Sequence, residues 1–339
     1  MSDSSPVPSA AHDPAWEARY HRIGMVVMLA LFVVAPFVVY PVFLMKALCF
    51  ALFACAFNLL IGFGGLLSFG HAMFLGSAGY IAAHTAKIGL NFTLPLIHIA
   101  VSVPPFSPEL AILGGVAVAT VLGVLTGLLA IKRQGIYFAM ITLALAQMVF
   151  FFCLQAPFTG GEDGIQSVPR GKFLGLLDLH NTMVLYYVVL GIFTAGFLLI
   201  YRIIHSPYGQ VLKAIRENEP RAISLGYDAD RYKLLAFVLS ATLAGLAGAL
   251  KAIVFQLASL TDVHWTMSGE VVLMVLLGGM GTIFGPVVGA FVIIALENYL
   301  APFGQWVTII TGVIFVVCVL AFRRGIVGEL SAWWKARGG

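Results

Sequence analysis

Ten long apolar stretches, interrupted only by glycine, proline or short polar runs, decide what this chain can fold into. They lie near 23–44, 47–63, 72–88, 109–131, 135–156, 183–204, 234–257, 269–280, 283–300 and 304–322. A helix that crosses a bilayer needs about 20 mostly apolar residues. The chain has 339 residues, 60% hydrophobic and 10% charged, which is material for roughly ten such helices. That composition excludes a soluble enzyme, a secreted disulfide scaffold and a disordered chain. The expected fold class is an all-α polytopic membrane protein with about ten transmembrane or re-entrant helices.

The four cysteines, Cys49, Cys55, Cys153 and Cys318, sit in apolar stretches without metal-ligand spacing, so they read as buried thiols and no metal site is expected. A net charge of +4 is too small to point to nucleic acid. Residues 1–22 are polar and precede a run, Ile23 to Leu44, that is too long for the core of a signal peptide. They read as a cytoplasmic tail ahead of a retained first span.

The sparse cations set the topology. With ten crossings and a cytoplasmic N-terminus, fourteen basic residues fall inside: Arg19, Arg22, Lys132, Arg133, Arg202, Lys213, Arg216, Arg221, Arg231, Lys233, Arg323, Arg324, Lys335 and Arg337. Only Lys46, Lys87, Arg170 and Lys172 fall outside, as the positive-inside rule requires, and Lys251 lies within a span. Merging 269–300 into one span would move the C-terminal basic cluster outside, so both termini are expected in the cytoplasm. The organisation is then a tail (1–22), a membrane domain (23–322) and a basic cytoplasmic tail (323–339).

Two glycine-rich breaks interrupt the apolar runs on the expected cytoplasmic side. One reads Gly64-Gly65-Leu66-Leu67-Ser68-Phe69-Gly70-His71, the other Gly278-Gly279-Met280-Gly281-Thr282-Ile283-Phe284-Gly285-Pro286. Paired interrupted segments point to a transport pathway. Ser68, Phe69, Gly70, His71, Gly278, Gly279, Gly281, Phe284, Gly285 and Pro286 are therefore candidate pathway or gating residues; close helix packing explains the glycines equally well. Of the other ionisable groups in spans, Glu270 and Glu297 read as interfacial carboxylates, Lys251 as a snorkelling cation and His84 as a hydrogen-bonded packing residue. Asn58, Gln147 and Gln155 are expected to bridge helices.

Two connections are long. The inner one, 205–233, is the most charged part of the chain. Ser206 suits an N-cap, Pro207 the first helical position and Gly226 a C-terminal cap, while Pro220 breaks or kinks the segment. Val211, Leu212, Ile215 and Ile223 add an apolar stripe, so the segment reads either as a helix on the membrane surface or as a docking element for a soluble partner. The outer connection, 157–182, carries Gly160, Gly161, Glu162, Asp163 and Gly164, either a solvated turn or a contact for an external protein. There is no GxxxxGK[ST] phosphate loop and no HExxH, and neither Ser68 with His71 nor Ser77 with His84 sits in a nucleophile motif. No catalytic residue is expected.

The stretches SFGHAMFLGSAGYIAA (68–83), KRQGIYFAMITLALAQ (132–147), FTGGEDGI (158–165), SPYGQVLKAIRENEPRAISLGYD (206–228), KLLAFVLSATLAGLAGAL (233–250) and LLGGMGTIFGPVVGA (276–290) resemble the LivM-type permease subunit of branched-chain amino acid ABC importers. The likeness runs from about residue 45 to the C-terminus, and residues 1–22 have no counterpart in it. It implies a permease in a bacterial cytoplasmic (inner) membrane, with lipids around it and alternating access as its mechanism. The partners it implies are a pseudo-symmetric LivH-type permease, two cytoplasmic ATPases and an external or periplasmic substrate-binding protein. ATP would be used by those ATPases, this chain binding no cofactor of its own. It also implies that 206–226 is the segment seated on an ATPase, with Ser206, Pro207, Gly209 and Gly226 shaping it and Ala214, Ile215, Arg216 and Glu217 at the contact. Permeases for urea or short-chain amides resemble the same pattern, and an ion-coupled secondary transporter is the alternative outside this class.

Overall fold

The computed structural model describes residues 14–93, 100–304, 306–321 and 325–329. Most of the tail at 1–22 and most of that at 323–339 therefore lie outside the described residues. Six helices come first: α1 (Pro14–Val34), α2 (Pro41–Asn58), α3 (His71–Lys87), α4 (Pro108–Ala130), α5 (Ile136–Gln155) and α6 (Thr182–His205). Two short ones follow, α7 (Pro207–Glu217) and α8 (Glu219–Ser224), then α9 (Ala229–Phe255), α10 (Trp265–Gly278), α11 (Gly285–Leu300) and α12 (Trp306–Ala321). Five helical stretches are long and apolar enough to cross a membrane: Pro41–Phe63, Pro108–Ala130, Ile136–Gln155, Thr182–His205 and Ala229–Phe255.

The central helix is α2, whose residues from Ala47 to Asn58 are all buried. Its sequence is apolar on every side, and such a helix must sit inside a bundle rather than at its edge. It packs on α6, α9, α10 and α11, while α3, α4 and α9 form a second tight group. Small residues allow that closeness: Gly245 and Ala119 meet between α9 and α4, and Gly248 meets Leu75 between α9 and α3. The other faces of α4 and α5 leave Leu113, Val121, Leu125, Leu128, Met140, Met148 and Phe152 exposed. Those faces suit lipid, not water.

The interruption between the first two apolar stretches is displaced from its expected place between 44 and 47. The chain leaves α1 at Val34, makes a 3₁₀ turn over Ala35–Phe37 and restarts at Pro41. Hydropathy sees no gap there because Val38, Val39 and Tyr40 are apolar. Proline decides instead, since Pro36 suits the turn and Pro41 the first helical position. The 269–300 region forms two helices, with Gly278 of α10 against Gly285 of α11 and Met274 against Gly289. A Cβ on Gly278 would collide with the carbonyl oxygen of Gly285, so only glycine permits this antiparallel approach.

Short strands tie down the connections between helices. β1 (Leu90–Thr93) pairs with β2 (Ala100–Val103); β3 (Ile165–Gln166) pairs with β6 (Leu257–Ala258), and β4 (Lys172–Phe173) with β5 (Leu177–Asp178), all antiparallel. Cys49, Cys55 and Cys153 are buried free thiols; the side chain of Cys318 lies outside the described residues.

Candidate functional site

The inner connection folds as two helices, not one kinked helix. Ser206 caps α7, accepting from the Gly209 amide at 3.3 Å, with Pro207 in its first turn. Gly209 is required because a Cβ there would strike the Ile203 and Ile204 carbonyls at the end of α6. The break falls at Asn218, which caps α8 through the Arg221 amide at 3.1 Å, and Pro220 sits in the first turn of α8 rather than at the break. Gly226, at φ +89°, ends α8, and Asp228 caps α9. The two helices close on a small core of Ile215, Ala222 and Ala229, with Val211 and Tyr232 beside it. Ile215 therefore faces into the chain, while Ala214, Arg216 and Glu217 are exposed.

Further contacts anchor the helical pair. Lys233 bonds Glu219 at 2.6 Å, and Gln134 reaches the same carboxylate at 3.1 Å, joining α8 to α9 and to the α4–α5 turn. The Tyr208 hydroxyl donates to the Tyr232 carbonyl at 2.9 Å, with the rings stacked. Burial, and Tyr232 beside it, push the Tyr208 phenol above its ordinary pKa, so it stays a neutral donor.

The Arg216 guanidinium turns back toward the bundle and donates to the Gly62 carbonyl. Gly62 lies in a π-helical turn, Leu59–Phe63, that ends α2. Such a turn misaligns the backbone ladder and presents carbonyls to other donors. Immediately beside it sits the second glycine break. Asn58, at the last turn of α2, donates to the Thr282 carbonyl and accepts from the Gly281 amide, both at 2.9 Å. A Cβ on Gly281 would lie 3.2 Å from the Gly62 oxygen and 3.5 Å from the Arg216 guanidinium. One junction thus joins α7, the end of α2 and the turn between α10 and α11.

The first break meets different partners. The Phe69 amide donates to Thr142 of α5 at 3.2 Å, the Gly70 amide to Ser68 at 3.2 Å and the Ala72 amide to Ser268 of α10 at 2.9 Å. His71 is fully buried, with Nε2 at 2.8 Å from Ser240 Oγ. Ser240 spends its proton on the Ala56 carbonyl at 2.5 Å, so His71 Nε2 is the donor and Nδ1 carries a lone pair with no partner among the described residues. The rings of Phe57, Phe74 and Phe237 meet the imidazole edge to face, sealing it from solvent.

These are backbone clamps and helix contacts, and among the described residues no group of side chains is able to hold a metal. The chain matches the family described as "Branched-chain amino acid transport system / permease component" over residues 41–322. It belongs to that family. Among curated relatives, the high-affinity branched-chain amino acid transport system permease protein LivM of Salmonella typhimurium strain LT2 is 26% identical over 83% of this chain and 68% of that protein. The LivM protein of Escherichia coli strain K12 is 25% identical over the same shares. The ribose import permease protein RbsC of Bacillus subtilis strain 168 is 27% identical over 78% of this chain and 82% of its own. No solved structure matches the chain.

As a membrane permease, the chain presents its expected site residues in three places. Arg216 and Gly281 meet at the junction, on the Gly62 carbonyl, which the sequence does not single out, with Gly278, Gly279, Phe284, Gly285 and Pro286 around the same turn; Phe69 and His71 bond α5 and α9 instead, with the start of α3 held by α10. At the outer loop, Gly160, Gly161 and Gly164 all take positive φ and fold a tight turn that leaves Glu162 and Asp163 exposed. Sequence reasoning missed Thr142, Ser240, Ser268 and Thr282, single hydroxyls in apolar helices or turns that carry no motif. Asn58 bridges as expected, and His84 bonds the Phe158 carbonyl at 3.2 Å, whereas Lys251 pairs with Asp262 instead of snorkelling.

Proposed function

We propose that this chain is one of two permease subunits of an ATP-driven, binding-protein-dependent importer. The proposed cargo is a branched-chain or related hydrophobic amino acid, the solute named for two of its relatives. The proposed assembly adds a LivH-type permease, two cytoplasmic ATPases that hydrolyse the ATP, and an external binding protein. In this reading ten helices cross or re-enter the membrane and both termini face the cytoplasm. Supporting that sidedness, Gly24 of α1 packs on Phe284 and Gly325, beyond α12, packs on Gly279, at the same end of the bundle as α7. The exposed Glu162–Asp163 turn, at the far end of α5, is proposed to meet the binding protein.

The observation that carries the reading is the hydrogen bond from Arg216 to Gly62. A permease without a phosphate loop must receive work mechanically. Ala214, Arg216 and Glu217 lie on the exposed side of a capped, well-anchored helix, and Arg216 grips the end of the central helix. An ATPase moving α7 would move the π turn and the α10–α11 turn with it, shifting the balance between outward- and inward-open states. No bond of the cargo is broken.

The test replaces Arg216 and Glu217 together by alanine in the assembled complex. A charge-assisted hydrogen bond contributes about 2 kcal/mol, so coupled uptake should fall more than about tenfold while the subunits still co-purify and ATP is still hydrolysed. Unchanged uptake would sink the assignment. RbsC supports a second reading, in which the same architecture carries another small organic solute such as a sugar, urea or a short-chain amide. The ligand held by the co-purified binding protein decides between the two. Uptake that persists without any ATPase would instead indicate an ion-coupled transporter.

A further inference from the structure

Residues 171–179 of the outer connection fold into a hairpin with an apolar, exposed tip. β4 and β5 bracket the turn, and Leu174, Leu176 and Leu177 are 66%, 88% and 43% exposed. Leu174 and Gly175 both take positive φ, +51° and +71°. Glycine adopts that conformation freely; leucine does not, and asparagine is the usual residue in its place. The turn is nevertheless held. The Leu174 amide donates to Glu109 of α4 at 3.3 Å, the Leu176 amide to the Phe173 carbonyl at 3.2 Å and the Leu179 amide to the Gly171 carbonyl at 3.3 Å. Gly171 lies against the ring of Pro108, the first residue of α4. The hairpin is thus fixed to the bundle in a costly backbone conformation that presents leucine to the outside.

A groove runs between the hairpin and α6. Phe173 and Leu177 on one side and Val184, Tyr187, Val188 and Gly191 on the other border about 510 Å³, lined almost wholly by carbon. Gly191 lies about 14 Å along α6 from its start at Thr182, at 1.5 Å per residue. Because α6 is long and apolar enough to cross the membrane, the groove runs beside the hydrocarbon and not above it. The exposed side of α6 continues past it through Ala195, Leu198 and Leu199. Three leucines on a rigid tip are unfavourable in water and favourable among acyl chains. The three bonded amides remove much of the usual cost of taking backbone toward lipid. At the base of the hairpin Lys172, Asp178 opposite it and His180 are exposed, so a polar base carries an apolar tip, as a segment at a bilayer interface requires.

We propose that this hairpin is a lipid anchor. Its leucine tip lies among the acyl chains of the leaflet at the end of the bundle opposite α7. One chain of a phospholipid fills the groove between the hairpin and α6, with the headgroup phosphate beside Lys172. The anchor fixes the depth of the starts of α4 and α6, through Pro108 and Glu109 on one side and the seated lipid on the other.

The experiment uses the full chain, with the partner subunits that co-purify with it, in phosphatidylcholine vesicles. Leu176→Trp adds one indole at the tip, and its fluorescence is read as the difference from the wild type. Lipids brominated near the headgroup should quench that added signal strongly and lipids brominated near the chain end less, while aqueous iodide should barely touch it. Iodide quenching as strong as that of a free indole puts the tip in water and overturns the anchor. Quenching by neither agent marks a contact with protein and overturns it as well. Gly191→Leu tests the groove separately: no atom lies within 4 Å of the position its Cβ would take, so the new side chain fills the groove without displacing protein. That variant should reach the wild-type yield and lose the phospholipid that the wild type keeps through detergent exchange, counted by native mass spectrometry. Equal lipid retention in the two overturns the groove as a lipid seat.

Discussion

The two glycine breaks look alike in sequence and are held in opposite ways. The first, at 64–70, is caught from three sides: Thr142 holds Phe69, Ser268 holds the start of α3, and the Ser240 bridge fixes His71 to the Ala56 carbonyl. Gly64, Leu66, Ser68 and Gly70 are buried, with Gly65 and Leu67 exposed between them. The second, at 279–284, exchanges side-chain hydrogen bonds, among the described residues, with one outside side chain, Asn58, and otherwise with its own Thr282, whose hydroxyl donates to Gly279 at 2.7 Å and accepts from Gly285 at 3.1 Å, while Phe284 stacks on Phe197 of α6. Met280 is exposed, and Gly281 through Phe284 are half-exposed. A shared pattern of Gly-Gly and Phe-Gly therefore does not mean a shared role. The first break is an anchor, while the second is a turn fixed at its helical base and open to movement at its tip; Arg216 touches both, lying against Gly65 of the first and Gly281 of the second.

The largest effect should come from the base of the second turn. A Cβ on Gly278 meets backbone on both Gly285 and Gly289, which no side-chain rotation can relieve. Overpacking of that kind costs about 3 kcal/mol when backbone has to move. Gly278→Ala should sharply lower the thermal midpoint of the purified chain and its yield in membranes. A variant as stable as the wild type would show that the α10–α11 contact is loose, and would remove the fixed base from the comparison.

Next in size is the anchor of the first break. Ser240→Ala leaves the His71 Nε2–H buried without a partner. An unsatisfied buried donor costs about 2 kcal/mol. The expected result is a clear loss of thermal stability, with the ratio of uptake to ATP hydrolysed unchanged in the protein that remains folded. A changed ratio at unchanged stability would make the first break a moving part, and the contrast drawn here would be wrong.

What was legible in the sequence follows from which physical signals are local. Apolar runs, glycine breaks and the caps at Ser206, Pro207 and Gly226 are written in adjacent residues, and the helices appear close to where those residues place them. The start of α2 was missed because hydropathy cannot see that Pro41 is a better beginning than the apolar residues before it. The clustering was missed for a different reason. Asn58 and Thr282 are 224 residues apart, as His71 and Ser240 are 169 apart, and nothing near either member names the other. Arg216 shows the same limit: its charge and exposure mark it for a partner outside the chain, but its Gly62 contact emerges only once α7 is folded back on α2.

The smallest effect on stability, and the one that separates the two breaks most cleanly, belongs to Asn58. Asn58→Ala removes two hydrogen bonds to the second turn, but the groups released, the Gly281 amide and the Thr282 carbonyl, lie where water can replace the lost partner. The expected loss of stability is about 1 kcal/mol, near the net worth of one hydrogen bond. Coupling should suffer more than folding. Without Asn58 the turn no longer follows the end of α2, so movement delivered through Arg216 reaches α2 alone and less cargo crosses for each ATP hydrolysed. Uptake and hydrolysis measured side by side in Asn58→Ala and Ser240→Ala should therefore give opposite patterns: loss of coupling with little loss of stability in the first, loss of stability with coupling kept in the second. If both variants fail in the same way, the two breaks form a single structural unit and the turn at 279–284 is no more mobile than the anchor.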